Sequence, residues 1–174
     1  MRPRTLVALC LVVLVAGGVG VVALTDTGAS GTTMTVAWVS DTARDTGGNH
    51  HAPAAGSVGD SSMVYAPISG RTDTNDCALV ALGAGNGSER WTSPIPAANC
   101  TIHAVADPTL ADFDSDGVRE VLAATTEQAV TAYHPRTGDV EFRHDLTSYG
   151  YTKPIVGDLT GDDRPEIVVV AVRG

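Results

Sequence analysis

Acidic residues are concentrated in one short stretch of the chain, ADFDSDGVREVLAA at positions 111–124. Asp112, Asp114 and Asp116 alternate along this stretch, and Glu120 precedes an apolar run. Carboxylates at this spacing repel one another unless a cation lies among them. Calcium prefers oxygen ligands of this kind and takes about 6–8 of them. The pattern therefore predicts a calcium site formed by Asp112, Asp114, Asp116 and Glu120.

A similar stretch begins 46 residues later. Its candidate ligands are Asp158, Thr160, Asp162 and Glu166. Thr160 takes the place of an acidic residue, and Asp163 takes the place of glycine, so this second predicted calcium site has a poorer ligand set. For both stretches the alternative is a solvated acidic turn without an ion.

The first stretch, Asp112-Phe113-Asp114-Ser115-Asp116-Gly117 with Glu120, resembles the calcium loop of FG-GAP/VCBS repeats, as in integrin α-subunit propellers. A second pair of segments, ALVALGAGNGSERW and AVTAYHPRTGDVEFRH, starts at Ala78 and Ala129 and is similar to PQQ-like propeller repeats. The two resemblances together cover residues 63–174. They imply a β-propeller with structural calcium, but the resemblance to PQQ-like repeats does not imply that the chain binds a quinone cofactor.

Strands are needed to hold these loops in place. From residue 63 onward, short apolar runs alternate with turn residues, which is typical of all-β proteins. The segment MTVAWV at 34–39 is predicted to be a strand, and the polar segment 41–62 a long loop. The later runs that predict strands are MVYAPI, CALVAL, TIHAV, REVLAAT, AVTAY, DVEFRH, KPIV and EIVVVAV.

The repeat spacing favours four-stranded propeller blades. The acidic stretches are 46 residues apart and the glycine-turn segments 51 residues apart, close to the usual blade length of about 40–50 residues. Propellers contain about 4–8 blades, whereas residues 34–174 have room for roughly three. We therefore expect an all-β partial propeller of two to three blades, completed by missing blades or by self-association.

The N-terminal residues 1–24 predict either a transmembrane anchor or a cleaved signal peptide. Arg2 and Arg4 precede an uncharged apolar run at 5–24, which is long enough to span a bilayer. Both alternatives place the rest of the chain outside the membrane, because the arginines stay on the cytoplasmic side. The expected location is the extracellular face of the membrane or, after cleavage, the medium. Residues 25–33 are predicted to be a flexible tether.

The charge of the chain argues against one class of partner. The 174 residues include 20 acidic and 11 basic side chains, for a net charge of −9. Nucleic-acid binding requires a basic patch, so it is not expected. An acidic surface with a single lysine also favours a halophilic source.

Two further sets of residues could do chemistry. Cys77 and Cys100 could form a disulfide in an exported chain, or remain as two buried free thiols. The adjacent His50 and His51 could bind a transition metal, but no third ligand lies near them in the sequence, so a polar loop is expected there.

Two functions are consistent with these features. The first is a non-enzymatic binding module whose ligand is a protein or a glycan. The alternative is a fragment of an extracellular propeller enzyme, similar to a quinoprotein dehydrogenase or a polysaccharide-degrading protein. The sequence contains no glycine-rich phosphate loop, nucleophile elbow or Cys-x-x-Cys motif.

Overall fold

A computed structural model describes residues 34–40, 42–45 and 49–173. The chain divides into two compact units, Met1–Val39 and Ser40–Gly174. The anchor or signal and the tether predicted from the N-terminal sequence lie outside the described residues. Within the described part of the chain, no helix is both long enough and apolar enough to cross a membrane.

The described part of the first unit, residues 34–39, contains no strand. The strand predicted for this segment is therefore wrong. Most of these side chains are exposed. A β-prone sequence becomes a strand where its side chains pack on a half-buried pleated surface, and these side chains do not.

The second unit is built around two four-stranded antiparallel sheets in which neighbouring strands are consecutive in sequence. The fold of the described residues is thus all-β, as predicted. The first sheet consists of β1 (Ala54–Val58), β2 (Ser61–Ile68), β3 (Ala78–Gly83) and β4 (Glu89–Pro94). The second consists of β5 (Thr109–Ala111), β6 (Glu120–Thr125), β7 (Ala129–Tyr133) and β8 (Val140–Asp145).

Four shorter strands form two small antiparallel pairs after the second sheet. They are β9 (Tyr149–Gly150), β10 (Ile155–Gly157), β11 (Glu166–Val168) and β12 (Ala171–Val172). β10 pairs with β11, and β9 pairs with β12. A single turn of 3₁₀ helix, Ala97–Asn99, lies between the two large sheets in sequence.

Two predictions about the connections are wrong. The segment 41–62 is not one long loop, because β1 and the start of β2 lie within it. β1 is an edge strand made mostly of small residues, so its sequence has only a weak apolar pattern. Its position in the sheet depends on backbone hydrogen bonds to β2. The run TIHAV at 101–105 forms a turn, and only Val105 makes an isolated bridge, to Thr125.

The two large sheets share the same irregularity, 51 residues apart. In the first, the pairing register shifts after Ala81↔Trp91, and in the second it shifts after Ala132↔Phe142. Each bulge precedes a turn that contains a glycine at positive φ, Gly87 or Gly138. The segments that resemble each other in sequence therefore form equivalent strands and turns.

Side chains from both large sheets share one hydrophobic core, centred on Tyr65, Trp91 and Tyr133. The Trp91 ring stacks on Tyr133, with ring centroids 5.9 Å apart. The Tyr65 hydroxyl and the Trp91 indole N–H both donate to the carbonyl of Pro135, each at 3.0 Å. These two hydrogen bonds satisfy the polar atoms of the large aromatic side chains and tie the first sheet to the turn after β7.

Cys77 and Cys100 form a disulfide, with their Cα atoms 5.4 Å apart. Cys77 immediately precedes β3, and Cys100 immediately follows the 3₁₀ turn. Both residues are fully buried. The bond therefore anchors the connection between the two sheets to the central part of the first sheet.

Candidate functional site

The first acidic loop, residues 112–119, connects β5 to β6. The last pair of that ladder is Ala111↔Glu120, so Glu120 is already part of the sheet. Carboxylate oxygens of Asp112, Asp114 and Glu120 all lie within 4.8 Å of one another. Three of the four residues predicted as ligands are thus brought together, two by the loop and one by the strand.

Backbone N–H groups hold the loop in its conformation. The Asp112 carboxylate accepts from the N–H groups of Asp116 and Gly117, each at 3.0 Å. The Asp116 carboxylate accepts from the Val118 N–H at 2.7 Å. Asp116 therefore stabilises the turn locally, whereas Asp112 both closes the turn and faces the carboxylates of Asp114 and Glu120.

Glu120 is the unusual member of this group of three carboxylates, because it is only 1% exposed. Its Oε2 atom accepts from the Phe113 N–H at 3.2 Å, but its buried Oε1 atom has no partner among the described residues. Burial, and to a smaller extent the nearby Asp114 and Glu141, raises the pKa of Glu120. A buried carboxylate oxygen without a partner is costly unless a proton or a cation compensates it.

The second acidic loop, residues 158–165, connects β10 to β11 and repeats this geometry. Asp158 accepts from the N–H groups of Asp162 at 3.2 Å and Asp163 at 3.0 Å, as Asp112 does from their equivalents. Gly161 and Asp163 have positive φ angles, as do Ser115 and Gly117 in the first loop. The two loops therefore share one backbone conformation, although Asp163 adopts it without being a glycine.

The ligand set of the second loop differs from that of the first. Carboxylate oxygens of Asp158, Asp162 and Glu166 lie within 4.8 Å of one another. Thr160, however, donates its hydroxyl to Glu166 at 3.1 Å, and Glu166 also accepts from the Leu159 N–H at 2.7 Å. Both oxygens of Glu166 therefore have partners, in contrast to Glu120. N–H groups, chiefly that of Gly161, lower the pKa of Asp158.

A separate group of histidines lies in the same unit. Ring nitrogens of His50, His51 and His103 all lie within 4.8 Å of one another. The expectation that His50 and His51 have no third potential ligand nearby is therefore wrong. His103 is 52 residues from His51 in sequence, and no local spacing pattern could have revealed this proximity.

The surroundings of His103 favour its neutral form. Burial is the main cause that lowers the pKa of His103, and the neighbouring His50 and His51 lower it further. Its Nε2 atom is 3.3 Å from the Tyr151 hydroxyl. A neutral imidazole keeps one nitrogen lone pair, which can accept a hydrogen bond or bind a metal.

Comparison with known families supports the resemblance of the acidic loops. Residues 112–169 match the family model of the FG-GAP-like repeat, and this region contains both loops. No curated protein matches the chain. The resemblance to VCBS and PQQ-like repeats and the halophilic source stay predictions. Residues 112–169 are thus similar to an FG-GAP-like repeat, which suggests that this part of the chain is a β-propeller-type repeat module.

Proposed function

We propose that the protein is an exported or membrane-anchored partial β-propeller, stabilised by calcium, that acts as a non-enzymatic interaction module. The observation that carries this proposal is the repeated acidic loop. Two loops 46 residues apart share one backbone conformation and one hydrogen-bond pattern, and each gathers three carboxylates between paired strands. Chance acidic turns have no reason to share these details.

The first loop fits a calcium ion on its own chemistry. Asp112, Asp114 and Glu120 supply oxygen ligands, and loop carbonyls or water can supply the rest of the coordination shell. Oε1 of Glu120, which has no partner among the described residues, is buried where the cation would compensate its charge. The ion would pin the β5–β6 connection and neutralise carboxylates that otherwise repel one another, which is a structural role.

The disulfide and the exposed apolar side chains fit the rest of the proposal. Disulfides persist in oxidising compartments, so Cys77–Cys100 supports export. Ile155 on β10 and Val168 on β11 are large apolar side chains that are 60% and 42% exposed. We propose that further blades, from another copy or another chain, cover this surface, and that a protein or glycan ligand binds the assembled module.

The test is thermal unfolding of the full-length, untagged chain in detergent, with calcium and with a calcium chelator. A ligand that binds only the folded state at about 100 times its Kd stabilises by about 2.7 kcal/mol. For a chain of this size that energy corresponds to a rise in Tm of roughly 5–11 °C. Glu120→Gln should abolish most of this rise, whereas Asp60→Asn, an exposed acid in the β1–β2 turn, should preserve it.

Two results would contradict the proposal. If calcium leaves the Tm of the wild-type chain unchanged, the loops are solvated acidic turns. If Glu120→Gln and Asp60→Asn respond equally to calcium, the ion acts by screening the net charge and has no site at the first loop. The corresponding substitution Glu166→Gln measures the contribution of the second loop, which we expect to be smaller.

A further inference from the structure

We propose that His50, His51 and His103 form a binding site for a divalent transition-metal ion such as Zn²⁺, distinct from the acidic loops. These three residues are called the histidine cluster below. Their ring nitrogens lie within 4.8 Å of one another, and imidazole is a preferred ligand of zinc, copper and nickel. The acidic loops, by contrast, offer only oxygen ligands, which suit calcium.

The distance between two of the rings fits a metal site. Nε2 of His51 and Nδ1 of His103 are 3.3 Å apart. In a tetrahedral zinc site with Zn–N bonds of about 2.0–2.1 Å, two ligand nitrogens are about 3.3–3.4 Å apart. The pair therefore already has the separation of two tetrahedral ligands.

The outer nitrogens of these rings have partners of the kind that support metal ligands. Nδ1 of His51 donates to the Asp107 carboxylate at 3.0 Å, and the same oxygen accepts from the Ala52 N–H at 3.0 Å. Because a carboxylate only accepts, Nδ1 of His51 carries a proton, and in the neutral ring the lone pair is then on Nε2, which faces His103. A carboxylate behind a histidine in this way orients the ring and makes it a stronger ligand.

His103 has a corresponding partner on its far side. Its Nε2 is 3.3 Å from the Tyr151 hydroxyl, which can accept the Nε2–H and leave Nδ1 free for a metal. Without a metal, the same atoms can form a continuous hydrogen-bond chain from Tyr151 through His103 and His51 to Asp107. In the hydrogen-bond chain the proton of His103 is on Nδ1, whereas in the metal-bound arrangement it is on Nε2. A metal-binding experiment therefore distinguishes the two arrangements.

The backbone around the cluster is held by other contacts. Asn49, next to His50, donates its side-chain amide to the Pro67 carbonyl on β2 at 3.0 Å. On the other side, His103 lies in the turn that follows the disulfide at Cys100, and its N–H donates to the Thr101 hydroxyl at 3.2 Å. The backbone next to His50 and the backbone of His103 are therefore each held by a hydrogen bond.

His50 completes the set from the solvent side. It is exposed, and its ring packs edge-on against His103 with centroids 4.6 Å apart. One of its ring nitrogens lies within 4.8 Å of those of His51 and His103, so this exposed side chain can supply the third ligand. Three histidine ligands leave the fourth position of a tetrahedral ion open to water or to an exogenous ligand.

The test is calorimetric titration of ZnCl₂ into the full-length, untagged chain, in detergent and with excess calcium. Calcium keeps the acidic loops from contributing ligands, and the absence of a histidine tag removes the main competing site. We expect one zinc ion per chain with a Kd in the micromolar range or below. The chain loaded with Co²⁺ should show the visible absorption of a tetrahedral cobalt site with nitrogen ligands.

Single substitutions test which residues bind the zinc ion. His103→Ala should weaken zinc binding at least 100-fold, whereas His144→Ala, an exposed histidine on β8, should leave it unchanged. Asp107→Asn should weaken it by about 10–100-fold, as is usual when the partner of a ligating histidine is lost. If His103→Ala does not fold, His50→Ala removes an exposed ligand and His103→Gln keeps a hydrogen-bonding side chain.

The proposal is overturned if the wild-type chain binds no zinc at millimolar concentration. It is equally overturned if the binding survives both His103→Gln and His50→Ala, or if it is lost in Glu120→Gln and not in these variants. Those results would leave the cluster as a hydrogen-bonded contact between the segment that precedes β1 and the connection that precedes β5. The calcium melts described above are independent of this outcome, because they report on different residues and a different ion.

Discussion

Substitution of Gly138 by alanine tests whether the turn after β7 packs against the first sheet as described. Gly138 has a φ of +76°, which already disfavours a side chain. A Cβ atom placed there would lie 2.7 Å from Cδ2 of Trp91 and 2.9 Å from Cγ and Cε3 of the same ring. Real Cβ atoms essentially never approach this closely, so either the turn or the indole must move.

The indole has little room to move. Its N–H donates to the Pro135 carbonyl at 3.0 Å, and its ring stacks on Tyr133. Overpacking of this kind costs about 1–3 kcal/mol. The positive φ adds about 1–2 kcal/mol, from which the lower entropy of an unfolded alanine subtracts about 0.4–1 kcal/mol.

A matched control separates the two contributions. Gly161 has a φ of +81°, but a Cβ atom there would have no neighbour within 4 Å. Gly161→Ala should therefore lower the free energy of unfolding only by the backbone contribution, and Gly138→Ala by about 1–3 kcal/mol more. For a chain of this size the extra loss corresponds to roughly 2–12 °C in Tm.

The assay is urea unfolding of both full-length variants with a calcium chelator present, so that changes at the second acidic loop do not enter the comparison. Equal stability of the two variants would refute the packing of Trp91 against this turn. A double-mutant cycle adds a second check, because Trp91→Leu should remove most of the penalty of Gly138→Ala. Additive losses in that cycle would also count against the described contact.

Two other predictions follow from buried groups in the same unit. Burial raises the pKa of Tyr65 from 10 to about 12. The protonated Tyr65 hydroxyl therefore contributes its full share of the free energy of unfolding below pH 10. This share, roughly 2–3 kcal/mol, is lost as the pH rises from about 10 to 12. Urea unfolding at pH 9–12 should therefore show a steeper alkaline loss in wild type than in Tyr65→Phe, and equal slopes would contradict the burial of this hydroxyl. Reduction of the Cys77–Cys100 disulfide, which closes a loop with a sequence separation of 23, should cost about 3 kcal/mol in the same assay. The Cys77→Ser/Cys100→Ser variant should not respond to the reductant, and a wild-type chain that also fails to respond would contradict the bond.

The sequence predicts the repeated parts of this structure well, because they depend on local patterns. An apolar strand, a glycine turn and a second strand recur after 51 residues, and the structure places Trp91 and Phe142 at equivalent bulges in the two large sheets. The offset of 46 relates a different pair, the β5–β6 and β10–β11 hairpins. The two offsets therefore measure the spacing between different units, which explains why they are unequal.

The features that the sequence does not predict depend on contacts between distant residues. β1 is a strand because its backbone forms hydrogen bonds with β2. The connection from β1 to β2 is a tight turn at Gly59 and Asp60, whereas the equivalent connection from β5 to β6 is the first acidic loop. The histidine cluster depends on the path of the chain between His51 and His103. Neither feature leaves a periodic signal, since each is created by tertiary packing.

The difference between the two acidic loops also depends on tertiary structure. Their backbones are equivalent, but Glu120 begins a strand buried on both faces, whereas Glu166 begins a short and partly exposed one. Oε1 of Glu120 is buried and has no hydrogen-bond donor among the described residues, while Thr160 and N–H groups satisfy Glu166. A bound cation would therefore relieve a larger electrostatic cost in the first loop than in the second. The same loop motif should thus bind calcium more tightly where the neighbouring sheet is complete, so the order of the two affinities is set by packing outside the motif.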